Sequence, residues 1–274
     1  MSVSQARAMH SQGNRNVPAM KEDRDFVTAL ARGIRVLQCF TAERPELGTT
    51  QIAALIGLPQ STVWRLCHTL TQLGLLVPGR DPDKLRAGPG VLTLGQASVA
   101  SAGIAEVAYR PMKDIADRFG VAVSLAAPSR THMVVVQRAE APTILRLALN
   151  VGSTLPMATS ALGWAYLAGV GQEERRRALA ALREALGADW PEAERHIAAA
   201  LRCHAKNGYV LNLRHYHPGV NAIGVPVAAP GRRMAMALNS GGAVSVATVE
   251  KLRGPIAEAL KGLAAQLASM LPPD

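Results

Sequence analysis

A chain of 274 residues, 49% of them apolar, is long enough for one large domain or two ordinary ones, which excludes a disordered polypeptide. Its formal net charge of +10 points toward a polyanionic partner such as nucleic acid, although an arginine-rich background composition accounts for the charge equally well. Aromatic residues make up 4% and much of the apolar content is alanine, which favours helices.

Residues 1–23 are polar, with Gly13 and Pro18, and read as a flexible arm. Arg7, Arg15 and Lys21 stand among the first residues without a continuous apolar run, so no signal peptide is expected. From Phe26 onward the period changes: Phe26, Ala29, Leu30, Gly33, Leu37 and Phe40 fall on one stripe of a helix, which Arg44-Pro45 ends. A second, short helix capped by Thr49 or Thr50 places Ile52, Leu55 and Ile56 inward, with Gly57 as its C-cap. A third starts around Pro59-Gln60-Ser61, carries Val63, Leu66, Cys67 and Leu70 on its inner face, and stops near Leu73-Gly74. Two extended pieces, Leu75–Val77 and Leu85–Ala87, flank the turn-rich segment from Pro78 to Lys84 and predict a small hairpin. Three helices and a hairpin over 24–90 make a winged helix-turn-helix.

Residues 91–110 read as a linker helix, and a further helix from Pro111 opens a second domain over 111–274. There, strands are predicted at Val121–Ala127, Met133–Arg138 and Ile144–Leu149, then helices at 158–169, 172–186 and 191–207. Strands at 208–213, 221–229 and 233–239 and a closing helix over 246–270 complete an α+β domain with an antiparallel sheet.

The outer face of the third helix is polar. With its apolar residues inward, Gln60, Ser61, Trp64, Arg65 and His68 face out. The second helix of a helix-turn-helix enters the major groove N-terminus first, so Gln60, Ser61 and Thr62 stand nearest the base edges. Thr50 is counted with the DNA-binding residues. Glutamine pairs with adenine, and Arg65 reaches guanine or a phosphate. Trp64 packs on the sugar-phosphate backbone or on the wing. Arg80, Lys84 and Arg86 are phosphate contacts of the hairpin, with bracing of the wing as the alternative for Arg86. Arg7, Arg15 and Arg24 belong to an arm that either reaches a groove or has no role.

The run Thr50-Gln51-Ile52-Ala53, followed by Gly57-Leu58-Pro59-Gln60-Ser61-Thr62-Val63-Trp64-Arg65-Leu66, resembles the helix-turn-helix of the IclR-type transcription regulators, named after the isocitrate lyase regulator. The resemblance extends through Gly88-Pro89 and Leu94-Gly95, and returns in Val151-Gly152-Ser153-Thr154-Leu155-Pro156-Met157 and in Gly219-Val220-Asn221-Ala222-Ile223-Gly224-Val225-Pro226-Val227. It implies a GAF-like (profilin-like) effector-binding domain, homodimers or homotetramers on double-stranded operator DNA, and control by a small organic or aromatic acid. The family's effector pattern carries over onto Ala161, Leu162, Asn212, Ala222, Leu238 and Ser240. Backbone N–H groups at a helix start favour a carboxylate, which suits the first two. The chain departs from the pattern at Leu85, where an aromatic residue is frequent, at Trp164, where lysine is common, and at Ala222, where some members are polar.

A metal-dependent enzyme is the rival class, through His204, His215 and His217, but no carboxylate or cysteine stands nearby at ligand spacing. Nucleophile elbows and phosphate loops are missing, so no catalytic residue, metal or cofactor is expected. A third reading keeps the DNA-binding domain and makes the second domain an oligomerisation module without a ligand. Cys39, Cys67 and Cys203 show no CxxC spacing and read as thiols, and no span-length apolar run appears, so a cytoplasmic protein without a membrane partner is expected.

Overall fold

Three short helices, none long enough to be stable alone, build the smaller of two compact units in the computed structural model. The structure describes residues 25–41, 43–100, 103–142, 149–229 and 235–271, with the backbone alone over 96–100. The helices are α1 (Thr28–Leu37), α2 (Thr49–Ile56) and α3 (Gln60–Gln72), and Val36, Cys39, Ile52, Ile56, Val63, Cys67 and Leu70 form their shared core.

The rotation of α1 differs from the expected one. Gly33 is buried and Leu37 and Phe40 pack on the core, but Phe26, Leu30 and Ile34 are exposed and Val36 takes the central place. The apolar arc of this helix is wider than its buried face, and only the edge with Gly33 and Val36 is buried, beside Arg35, which donates Nη2 to the Ile56 carbonyl at 2.7 Å. That contact sets a cation against the negative C-terminal end of α2. Leu55, expected inward, is also exposed. Gly48 rather than either threonine caps α2, and its N–H donates to Gln51 Oε1 at 2.9 Å. Gly57 ends the helix in the left-handed region, at φ +66°, as its position predicts.

Strands β1 (Glu46–Leu47), β2 (Leu76–Pro78) and β3 (Leu85–Ala87) form an antiparallel sheet in the order β1-β3-β2. The hairpin is the expected one with β2 a residue later, while β1 is too short to show alternation in the sequence. Burial pushes the Cys39 and Cys67 thiols up, the latter to about 11. After the wing comes α4 (Gly90–Ala100).

The larger unit begins with α5 (Gly103–Phe119). The linker helix expected over 91–110 corresponds to α4 and the start of α5, with 101–102 outside the described residues, and Pro111 lies inside α5 rather than at the head of a new helix. Proline removes the partner of the Val107 carbonyl, a loss tolerated where residue 107 is exposed. Strands β4 (Ala122–Ser129), β5 (His132–Glu140) and β6 (Thr154–Pro156) follow, then α6 (Ala161–Gly169), α7 (Gln172–Leu186) and α8 (Trp190–Asn207). Next come β7 (Val210–Leu213), β8 (Val220–Val227) and β9 (Met236–Ala243). The closing segment is α9 (Val249–Lys251), a kink at Gly254 and Pro255 within Leu252–Ile256, and α10 (Ala257–Ser269). The strand expected at Ile144–Leu149 lies almost wholly outside the described residues, as do the arm over 1–23 and Arg24.

The six strands are antiparallel in the order β6-β5-β4-β9-β8-β7. Both faces are covered. Val123, Leu125, Ile223, Val225 and Leu238 join one core with Met112 of α5 and Leu260 and Leu263 of α10. Ala126, Met133, Val135 and Ala237 join the other with Leu162 and Leu167 of α6 and Ile197 of α8. The result is an α+β domain whose curled antiparallel sheet lies between two helical layers.

Candidate nucleic-acid interface and ligand cavity

The inner face of α3 is held by Val63, Cys67 and Leu70, all buried, with Leu66 half-buried beside them. Gln60, Ser61, Trp64, Arg65 and His68 are therefore exposed, and Thr62 is half-buried. Gln60, Ser61, Trp64 and Arg65 border one shallow open concavity. Thr50 is exposed at the start of α2, and its Oγ1 accepts a hydrogen bond from Gln60 Nε2 at 2.9 Å. An amide nitrogen carries two N–H groups, so Gln60 keeps one donor and its Oε1 acceptor, the pair that matches the adenine N7 and N6 edge. Trp64, 57% exposed, stacks on His68 one turn along, with centroids 5.4 Å apart and planes 8° apart.

In the wing, the Gly79 N–H donates to the Lys84 carbonyl at 2.8 Å and the Arg80 N–H to Glu46 Oε1 at 3.1 Å. Glu46 thus fastens the hairpin tip to β1, a role without a signal in the sequence. Arg86 Nε donates to the Pro78 carbonyl at 3.3 Å, the bracing alternative for that residue. Lys84 Nζ stands 3.4 Å from Asp81 Oδ2, an exposed pair that contributes little to stability.

The larger unit contains a cavity of about 40 Å³ bordered by β4, β5, the start of α6, and β7 to β9. Of the six residues expected at an effector, Ala161, Asn212 and Ala222 line it. The Leu162 side chain lies in the core beneath, leaving only its N–H near the helix start. Leu238 and Ser240 are corrected by the register. Leu238 pairs with Leu125 and Val225, and Ser240 with Val123 and Ile223, so both face the α5–α10 layer. Their neighbours Asn239 and Gly241 line the cavity instead. Side chains alternate along a strand, and a displacement of one residue exchanges the faces.

Asn212 is committed at both ends: Nδ2 donates to the Thr159 carbonyl at 2.8 Å, and Oδ1 accepts from the Tyr216 N–H at 3.0 Å. It shapes the cavity wall. Ser160 caps α6 by accepting from the Gly163 N–H at 3.1 Å, and the N–H groups of Ala161 and Leu162 have no carbonyl earlier in the helix to bond. The close seat of α6 requires glycines, among them Gly163 and Gly169 within it and Gly224 beneath it. A Cβ on Gly163 would lie 2.1 Å from the Met157 carbonyl oxygen, and one on Gly224 2.5 Å from that of Ala161.

Arg138, on β5, also lines the cavity, and nothing in the sequence singled it out. Its side chain is 8% exposed; Nη1 donates to Ser124 Oγ at 2.9 Å and Nη2 lies 3.4 Å from Glu140 Oε2. Burial draws its pKa down and the Glu140 carboxylate opposes that shift.

Trp164 is a core residue whose Nε1 donates to the Ala158 carbonyl at 2.7 Å. The three histidines of the enzyme reading do not act together. His215 packs against His196 at 4.0 Å and against Trp164, His217 Nδ1 accepts from the Gly219 N–H, and His204 is half-buried on α8. No group of three metal-binding side chains occurs among the described residues, and no helix among them is long and apolar enough to cross a membrane.

Comparison with known proteins matches residues 29–79 to the IclR helix-turn-helix domain and residues 96–269 to the C-terminal domain of bacterial IclR transcriptional regulators. The transcriptional regulator TsaQ1/TsaQ2 of Comamonas testosteroni is 30% identical over 86% of this chain and 85% of its own. The Pca regulon regulatory protein of Pseudomonas putida is 28% identical over 82% of this chain and 77% of its own. The crystal structure of an IclR family regulator from Brucella abortus superposes with a TM-score of 0.78 at 36% identity, covering 94% of this chain and 97% of that one. The fold is shared with an IclR homologue from Microbacterium hydrocarbonoxydans solved with 4-hydroxybenzoate, with a TM-score of 0.68 at 24% identity over 88% of this chain and 98% of that one.

Proposed function

Because the chain belongs to the IclR family of DNA-binding transcription regulators, we propose that it reads a pseudo-palindromic operator as a homodimer or homotetramer and that a small organic or aromatic acid adjusts that binding. One observation carries the reading: the polar face of α3 stands clear of its own domain, with Gln60 oriented by Thr50. Gln60, Ser61 and Thr62 meet base edges, Arg65 meets guanine or phosphate, and the stacked Trp64 and His68 lie along the sugar-phosphate backbone. Arg80 and Lys84 contact phosphates from the wing, which Arg86 braces. One such helix makes too few contacts for useful specificity. Two copies reading half-sites about 10 bp or a multiple apart supply the rest.

The effector site is the cavity, with the first N–H groups of α6, Ala222 and Asn239 around the ligand and Asn212 holding the wall. The homologue solved with 4-hydroxybenzoate supports an acid. A cavity of about 40 Å³ is far below the roughly 300–1,000 Å³ of ordinary ligand sites. Ligand therefore selects a wider state of the domain, and its apparent affinity falls by the fraction of molecules in that state. Differential affinity for two arrangements of the DNA-binding domains supplies a coupling of about 1–3 kcal/mol.

The small cavity also favours a second reading, in which the larger unit oligomerises and binds no ligand. Melting of the full chain with 4-hydroxybenzoate and a panel of other small acids decides between them. A bound acid at about a hundred times its Kd stabilises by about 2.7 kcal/mol and raises the Tm, whereas an unmoved Tm across the panel selects the second reading.

A further inference from the structure

Arg138 is the one charged side chain among the described residues lining the cavity. It reaches the wall from β5, on the sheet face that also presents Ser124 and Ala122, because Arg138 registers with Ser124. Its bonding is uneven. Nη1 is used by Ser124 Oγ at 2.9 Å, Nη2 is held only at 3.4 Å by Glu140, and Nε is buried with no partner among the described residues. The Nε–H and the adjacent Nη2–H of a guanidinium point the same way, and together they match the two oxygens of one carboxylate. The under-used side of this arginine is therefore its carboxylate-matching edge. A buried donor without an acceptor is costly, more so when charged, and an anion that accepts from Nε removes that cost.

We infer that Arg138 is the anchor of the effector's carboxylate, holding it side-on through Nε and Nη2. The inference rests on the sensor reading above and sharpens it. The acid group lies on the sheet side of the cavity, at β5, rather than at the start of α6. Glu140 is the internal competitor for Nη2, so an entering carboxylate displaces it from that nitrogen while Ser124 keeps the plane of the guanidinium fixed. A ligand without a carboxylate leaves the Nε edge as it is and is rejected.

The test uses the full-length protein and six probes: acetate, benzoate and 4-hydroxybenzoate, each beside its primary amide. Titration calorimetry is expected to find at least one acid bound tenfold or more tighter than its amide. In Arg138→Gln that preference is expected to vanish, with the acid weakened to the level of the amide. Should Arg138→Gln fail to fold, Glu140→Gln keeps the question open, because removing the competitor is expected to tighten the acid severalfold and leave the amide unchanged. Acid preference surviving in Arg138→Gln, or acid affinity unchanged in Glu140→Gln, overturns the role of Arg138 and leaves the sensor reading in place. Binding of none of the six overturns both.

Discussion

In the smaller unit the working side chains stand on the outside of a helix, and the core lies behind them. In the larger unit they stand inside, on a sheet whose two faces are both covered. A change on the exposed outer face of α3 leaves the core alone, whereas a change at the cavity also disturbs packing. Function and stability are separable in the first region and entangled in the second.

Glycine substitutions break this comparison most forcefully. Gly163→Ala drives a Cβ against the Met157 backbone and is expected to cost about 3 kcal/mol, lowering the Tm of the full chain by several degrees. Gly33 is buried in α1 yet has no atom within 4 Å of a built Cβ. Gly33→Ala is expected to be neutral or stabilising by up to about 1 kcal/mol. Differential scanning calorimetry on both variants checks the contrast, and similar losses would contradict it. Arg65→Ala comes next, with about 2 kcal/mol, near thirtyfold, lost in operator affinity and the Tm unmoved, as read by fluorescence anisotropy and calorimetry. Lys84→Ala is smaller: affinity falls alike for all sequences and the slope of log K against log salt flattens by about one, while an unchanged slope removes the wing from the phosphates.

The smallest effect is pH dependence, and it belongs to the larger unit. Burial draws the pKa of His132, of His204 and of His215 below the ordinary 6.5, for His215 with help from neighbouring His196. The unfolded chain then takes up protons first as pH falls. Stability from these groups is full above about 6.5 and declines as pH drops toward the folded values. His215→Gln is expected to make the Tm fall less over that window, and an identical pH profile would remove His215 from the account.

The same two regions differ in how far they can be read from residue order. On α3, Val63, Leu66, Cys67 and Leu70 fall on one side and polar residues with Trp64 on the other, so Gln60, Ser61, Trp64, Arg65 and His68 are placed by periodicity alone. On α1 the apolar arc is wider than the buried face, and only packing against the rest of the unit shows that its Gly33–Val36 edge is buried while Leu30 and Ile34 are exposed. On β9, both faces are buried, and neither apolar Leu238 nor small Ser240 marks which face is which. Only pairing with β4 and β8 shows that Asn239 and Gly241 face the cavity. Arg138 stayed hidden because a lone arginine at the end of a strand is ordinarily a solvated one, and its burial depends on strands far away in sequence. Alternation counted from the Asn212–Ala222 pair, had the pairing been known, leads to Gly241 directly.

Selection of binding sites from a random duplex pool tests the central claim most directly, with the full chain and with Gln60→Ala and Arg65→Ala. The account predicts an inverted repeat for the parent protein, with half-sites about 10 bp or a multiple apart, loss of the adenine preference in Gln60→Ala and a weakened guanine or phosphate contact in Arg65→Ala. The same motif recovered at equal strength by both variants, or no motif from the parent, would contradict a regulator that reads DNA with the outer face of α3.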